Sequence, residues 1–296
     1  MTTSNGQSVS RDDGLHDGFE AFRSDSLAIE LEGNVAILWL NRPGHRNAIT
    51  QAWFDDLLHA ATVVACDSRV RALVVAARGP DFCVGLDLKD PGPTFGELGG
   101  NIDNGSMASQ ALRTYQHARR HQDSFSAVAK LRKPVIAAVH GNCVGGGLDL
   151  IACCDVRFAS ADARFSVAET RMAIVADMGS LQRLPDIIAR GDLMELALTG
   201  KRIDAQRAYL IRLVNDVFPD REGTVTAAKA LAAELAAMSP LAVQGTKDVL
   251  AASEGRTVAE GLDYVALWQA AMLRSNDLTE AVQSFRAKRQ PRFTGT

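Results

Sequence analysis

The stretch Lys133-Pro134-Val135-Ile136-Ala137-Ala138-Val139-His140-Gly141-Asn142-Cys143-Val144-Gly145-Gly146-Gly147-Leu148-Asp149-Leu150-Ile151-Ala152 decides the fold. Pro134 to Val139 is a short apolar run of the kind buried on both faces of a parallel sheet. His140-Gly141-Asn142 turns the chain, and three glycines then open an apolar segment, Leu148 to Ala152, that reads as a helix. Glycines there let a ligand approach the backbone, and the first N–H groups of a helix lack intrahelical partners, so they can hold a developing negative charge. The plainer alternative is a tight strand-to-helix turn with close packing.

The same alternation extends to both sides. Leu27 to Leu31 and Val35 to Leu40 form a hairpin about Glu32-Gly33-Asn34, and Asn41-Arg42-Pro43-Gly44 ends it. From Thr50, a candidate cap, Trp53, Phe54, Leu57, Leu58, Ala61 and Val64 recur at helical spacing. Leu73 to Ala77 is a further buried strand, closed by Gly79-Pro80-Asp81. A basic helix is expected from about Ala108 to Leu131, with Arg119, Arg120 and His121 on a solvated face. Asp155 to Ala159 is the next strand. Helices follow at Gly191 to Leu198, Asp204 to Leu213, Thr224 to Met238, Pro240 to Ser253 and in a last pair reaching Arg289. Strand and helix alternating in this way give an α/β fold.

Composition narrows the function. The chain has 296 residues, enough to bury a substantial core, and 32 Lys and Arg against 35 Asp and Glu, a formal net charge of -3. No global basic field favours nucleic acid. Five cysteines with no CxxC spacing suit free thiols in a reducing, cytoplasmic setting. No apolar run is long enough to span a membrane. Residues 1–20 are polar and acidic, read as a disordered leader rather than a secretory or transit signal. The Gly-, Pro- and Asp-rich stretch from Asp90 to Asn104 is expected to be a mobile loop near the site.

Three carboxylates follow the glycines: Asp149, then Glu169 and Asp177, twenty and eight residues further on. Acids beside a helix-opening turn complete an acid–base mechanism: backbone N–H groups can hold a negative charge, and the carboxylates can move protons. Each also has a plain explanation. Asp149 can complement a helix dipole, Asp177 can cap the helix carrying Leu181 and Leu184, and Glu169, near a strand end, can be a surface charge. A second loop after a strand, Phe82-Cys83-Val84-Gly85-Leu86-Asp87-Leu88, can aim N–H groups at the same oxygen. The histidines form no HExxH pattern, and His117 and His121, four apart, are expected as exposed helix residues rather than metal ligands. No GxGxxG, GxxxxGK[ST] or GxSxG is present, so nicotinamide, nucleotide and serine-hydrolase chemistry drop out.

Leu40-Asn41-Arg42-Pro43 with Arg46-Asn47-Ala48, Phe82 to Leu88, Lys133 to Gly141 with Gly145-Gly146-Gly147, and Gln182-Arg183-Leu184 together resemble the crotonase, or enoyl-CoA hydratase/isomerase, superfamily. The match runs in order from about Leu27 to Phe293. It implies a spiral of ββα units over residues 21–220, a C-terminal helical region over 221–296 that builds trimers or hexamers, and an acyl-CoA thioester as substrate. No separate cofactor or metal is implied, since the CoA belongs to the substrate. By the family's pattern the oxyanion hole falls on the backbone N–H groups of Leu86 and Gly146, with Val84, Gly85, Asp87, Leu88 and Gly147 around the substrate. Phe285 and Lys288 have the spacing of residues that touch a neighbouring subunit's CoA. The stretch from Glu169 to Pro185 resembles that of Δ3,5-Δ2,4-dienoyl-CoA isomerases, whose catalytic acids fall on Asp149, Glu169 and Asp177. An enoyl-CoA hydratase is the alternative with the same fold, and a non-catalytic acyl-CoA-binding or scaffold protein is the alternative of another class.

Overall fold

The computed structural model describes residues 22–89 and 106–296; the expected leader and the stretch from Asp90 to Asn104 lie outside the described residues. Strands β1 (Leu27–Glu32) and β2 (Val35–Leu40) form the expected antiparallel hairpin, Leu27 opposite Leu40 and Glu32 opposite Val35. Gly33 makes this two-residue turn with φ 59°, a left-handed conformation that costs glycine little. Strand β3 (Ala72–Ala77), β4 (Val135–Val139), β6 (Val156–Ser160) and β9 (Asp216–Phe218) then add in parallel, giving a six-stranded sheet ordered β1-β2-β3-β4-β6-β9. A smaller sheet holds β5 (Asn142–Val144), β7 (Arg164–Ser166) and β8 (Ile203–Asp204), with β5 and β7 parallel and β7 and β8 antiparallel.

The two sheets make the spiral visible. Strand β4 runs into β5 and β6 into β7; β4 pairs with β6 in the large sheet while β5 pairs with β7 in the small one. Each ββ unit therefore advances the chain by one turn. The short strand β5 differs from the turn expected there, and β7 shows in the sequence only as a strand end before Glu169, because three residues carry too little periodicity to register.

Helices cover both faces of the large sheet. Helix α1 (Gln51–Cys66) buries Trp53, Phe54, Leu57 and Val64 against one core, which also takes Ala36, Leu38 and Leu40 of β2. Thr50 occupies the N-cap position of α1, yet its side chain makes no capping hydrogen bond. Val35 and Ile37 point the other way, as period-two alternation requires. They meet α7 (Arg221–Ala237), whose Ala228, Ala232 and Ala236, four residues apart, form a smooth stripe pressed on the sheet. The first helix past residue 220 thus packs as part of the core.

Between these lie α2 (Met107–Ala129), α3 (Gly146–Ala152), α4 (Ser180–Arg183), α5 (Arg190–Thr199) and α6 (Ala205–Leu210). Ser106 caps α2 by accepting the Ser109 N–H, and Asp204 caps α6 by accepting that of Arg207. Three further helices, α8 (Pro240–Ser253), α9 (Val258–Met272) and α10 (Asn276–Ala287), complete the C-terminal region. Helix α9 begins with a capping box between Thr257 and Glu260, and Trp268 lies over Gly245 of α8, where a Cβ would collide with the indole. Among the described residues no helix is long and apolar enough to cross a membrane.

Candidate active site

The loop Phe82 to Leu88 and the glycine turn are stitched together by backbone hydrogen bonds. The Cys83 N–H donates to the Asn142 carbonyl at 2.9 Å, and the Val144 N–H donates back to Cys83 at 2.9 Å. On its far side the loop is gripped by Ile49, whose N–H donates to Gly85 at 2.9 Å and whose carbonyl accepts from Asp87 at 2.8 Å. The Asn41 to Ala48 segment holds this arrangement. Arg42 donates to the Ala48 carbonyl at 2.8 Å and pairs with Asp87 at 3.2 Å, while Asn47 Nδ2 donates to the Asp81 carbonyl at 2.8 Å.

Leu86 and Gly146 are left with backbone N–H groups that find no acceptor among the described residues, although Ile49, Asp87, Gly145 and Leu148 beside them are paired. Both residues line one cavity of about 340 Å³, within the ~300–1,000 Å³ typical of small-molecule sites. Glycine is needed at this turn. Gly145 has φ 56°, and a Cβ there would lie 3.2 Å from Glu169 Oε1, so the carboxylate sits directly over the turn.

The three acids reach this cavity from separate elements. Asp149, in the first turn of α3, is 1% exposed. Its Oδ1 accepts the Ser180 N–H at 2.6 Å and the Ser180 hydroxyl, so the N-terminus of α4 holds it from the opposite side. Burial pushes its pKa up to about 7; the Ser180 hydrogen bonds pull against that rise, and the charges of Glu169 and Asp177 add to it. Glu169 opens a 3₁₀ turn, Glu169–Met172, after β7. Its Oε2 is buried without a hydrogen-bond partner among the described residues, and burial, reinforced by repulsion from Asp177, raises its pKa. Asp177 lies at the more open edge of the cavity, where partial burial of its carboxyl again raises its pKa. It caps no helix: the N-cap of α4 is Gly179. Instead the Asp177 carbonyl accepts a hydrogen bond from Gln122 Nε2 of α2 at 2.8 Å.

The other expected site residues divide. Val84, Gly85 and Leu88 line the cavity with Leu86 and Gly146. Asp87 is turned to Arg42, and Gly147 is packed on Cys83, where a Cβ would approach within 2.8 Å, so neither lines it. Phe285 is 85% exposed on α10 and Lys288 ends that helix with φ 53°; both stand away from the cavity of their own chain.

Helix α2 supplies one wall of the cavity. Thr114, His117, Ala118, His121 and Phe125, three and four residues apart, line the cavity along one helix face. His121 corrects the expectation of a solvated, exposed histidine: it is buried, stacked on Phe54 at 3.7 Å with the rings 11° apart, and Nε2 meets Gln51 Oε1 at 3.1 Å. Burial, with His117 and Arg120 nearby, lowers its pKa to about 4, so the imidazole is neutral at pH 7. The i,i+4 spacing of the two histidines was the available signal, and only the packing of α1 on α2 shows which way they face.

Known proteins match this architecture. A family model described as enoyl-CoA hydratase/isomerase matches residues 30–296. The chain is 40% identical over 262 residues to the peroxisomal Delta(3,5)-Delta(2,4)-dienoyl-CoA isomerase of Arabidopsis thaliana, covering 88% of this chain and 93% of the relative. It is 41% identical over 252 residues to the mitochondrial Delta(3,5)-Delta(2,4)-dienoyl-CoA isomerase of Homo sapiens, covering 85% and 76%. The crystal structure of an enoyl-CoA hydratase from Bacillus anthracis superposes with a TM-score of 0.81 at 28% identity, covering 92% of this chain and all of that one.

Proposed function

The chain belongs to the enoyl-CoA hydratase/isomerase family, and from that premise we propose that it isomerises 3,5-dienoyl-CoA to 2,4-dienoyl-CoA, a step in the β-oxidation of unsaturated fatty acids. The observation that carries this reading is the third acid. Asp177 lines the same cavity as Asp149 and Glu169, and each of the three has its pKa raised.

The chemistry uses that arrangement step by step. A C2–H bond breaks, its proton passes to an ionised carboxylate, and the electron pair spreads over an extended dienolate. The charge on the thioester oxygen is met by the N–H groups of Leu86 and Gly146, donors fixed in advance by the backbone stitching around them. The second carboxyl, protonated at the start, delivers its proton to C6, and the double bonds settle at C2 and C4. No proton is gained or lost overall. C2 and C6 are four bonds apart, about 5 Å along an extended chain, so one carboxylate serves both poorly and a pair, Glu169 and Asp177, serves them well. The step requires one of the pair protonated and the other ionised; burial raises the pKa of both, and repulsion from Asp177 adds to the rise at Glu169, which favours that state. Asp149, fixed by Ser180, tunes the pair through its charge.

The substrate's own CoA leaves no separate cofactor to supply. The exposed Phe285 and Lys288 suit contact with the CoA held by a neighbouring copy in a trimer or hexamer. The cytoplasm remains the location inferred from free thiols, all five cysteines being unpaired, although the relatives quoted are peroxisomal and mitochondrial by name.

The test is a comparison of two substrates. Purified protein given 3,5-dienoyl-CoA is expected to form the conjugated 2,4-dienoyl product, followed by its absorbance, faster than it hydrates 2-enoyl-CoA. Faster hydration identifies a hydratase instead.

A further inference from the structure

The acyl end of the cavity contains polar groups that proton transfer between C2 and C6 does not use. We infer that His117, steadied by His121 and Gln51, selects acyl chains bearing an uncharged oxygen, a hydroxyl or ketone, roughly ten bonds beyond the thioester carbon. This rests on the acyl-CoA reading of the cavity.

Helix α2 acts as a ruler. Phe125 marks the thioester end, since a Cβ on Gly146 would lie 3.9 Å from its ring. Gln122, bound to the Asp177 carbonyl, is three residues back, about 4.5 Å along the axis at 1.5 Å per residue. That is close to the roughly 6 Å separating C1 from C6 in an extended chain at about 1.2 Å per bond. On the same scale His121 stands about 6 Å from Phe125, level with C6, and His117 about 12 Å, well past C6 and level with about the tenth bond.

The two imidazoles are held differently. His121 is fixed by its stack on Phe54 and by Gln51, and its low pKa keeps it neutral. His117 meets His121 edge-on, with ring centroids 4.1 Å apart. Its Nε2 is buried and finds no hydrogen-bond partner among the described residues, a cost that a methyl-terminated chain leaves in place and an oxygen removes. Charge decides the kind of oxygen. Among the described residues, three carboxylates and no lysine or arginine line the cavity, so a terminal carboxylate meets repulsion where a hydroxyl does not.

Calorimetric titration of the full chain with decanoyl-CoA, 10-hydroxydecanoyl-CoA and the corresponding ω-carboxyl thioester tests this without turnover. The hydroxylated chain is expected to bind about ten-fold more tightly than the plain one, with the carboxylate weakest. His117→Leu is expected to abolish the preference, and His117→Gln, which keeps a hydrogen-bonding side chain, to retain it. Equal binding of the plain and hydroxylated chains by the wild type, a preference unchanged in His117→Leu, or tightest binding of the carboxylate overturns the inference. Hydroxyl selectivity in a protein that fails to isomerise dienes removes the isomerase reading alone, whereas isomerisation without selectivity removes only this one.

Discussion

Asp149 is nearly inaccessible, and its carboxyl has to be ionised inside the protein as pH rises. Its folded pKa of about 7 lies above the ordinary value of 3.8, so the stability it contributes is complete below about pH 4 and is lost as pH rises through 7. Asp149→Asn removes that ionisation while leaving an oxygen to accept from Ser180. The melting temperature of the variant relative to the wild type is therefore expected to be higher at pH 8 than at pH 5, reflecting up to about 1.4 kcal/mol per pH unit across the shifted range. An offset that is the same at both pH values rules out a raised Asp149 pKa. At this scale the sequence disclosed much. All three acids quoted from it line one cavity, and Leu86 and Gly146, which only the family resemblance singled out, line it with them. His121 was illegible, because its burial depends on Phe54 and Gln51, some seventy residues earlier, and a helix read alone shows only that it is amphipathic.

Among elements, α7 shows what composition conceals. Its alanines suit any helix, yet Ala228, Ala232 and Ala236 are buried where the helix lies on β2, β3 and β4. Ala232→Leu forces side-chain bulk into that contact and is expected to cost about 1–3 kcal/mol, read as a lower denaturation midpoint. An unchanged midpoint means that α7 is not seated on the sheet. The long elements were legible because hydrophobic periodicity accumulates over their length, as in α1 and the hairpin. Strand β5 was not, and β7 only as a strand end, although they carry the spiral and align the glycine turn with the loop at Cys83.

The whole molecule leaves much of its C-terminal region uncovered. Leu262, Leu267 and Phe285 are 62%, 71% and 85% exposed, a concentration of apolar surface that suits contact with further copies of the chain. Light scattering is expected to give three or six times the chain mass, and a monomer at micromolar concentration contradicts the proposed assembly. Assembly was legible only through family resemblance, since one chain's apolar surface does not state how many copies cover it. The central claim concerns the division of labour between Glu169 and Asp177, and the spectrophotometric turnover of 3,5-dienoyl-CoA by Glu169→Gln and Asp177→Asn tests it most directly. Each variant is expected to lose at least about 10²-fold in kcat, as removal of a general acid or base does, while remaining folded. Isomerisation at the wild-type rate by both variants contradicts the account.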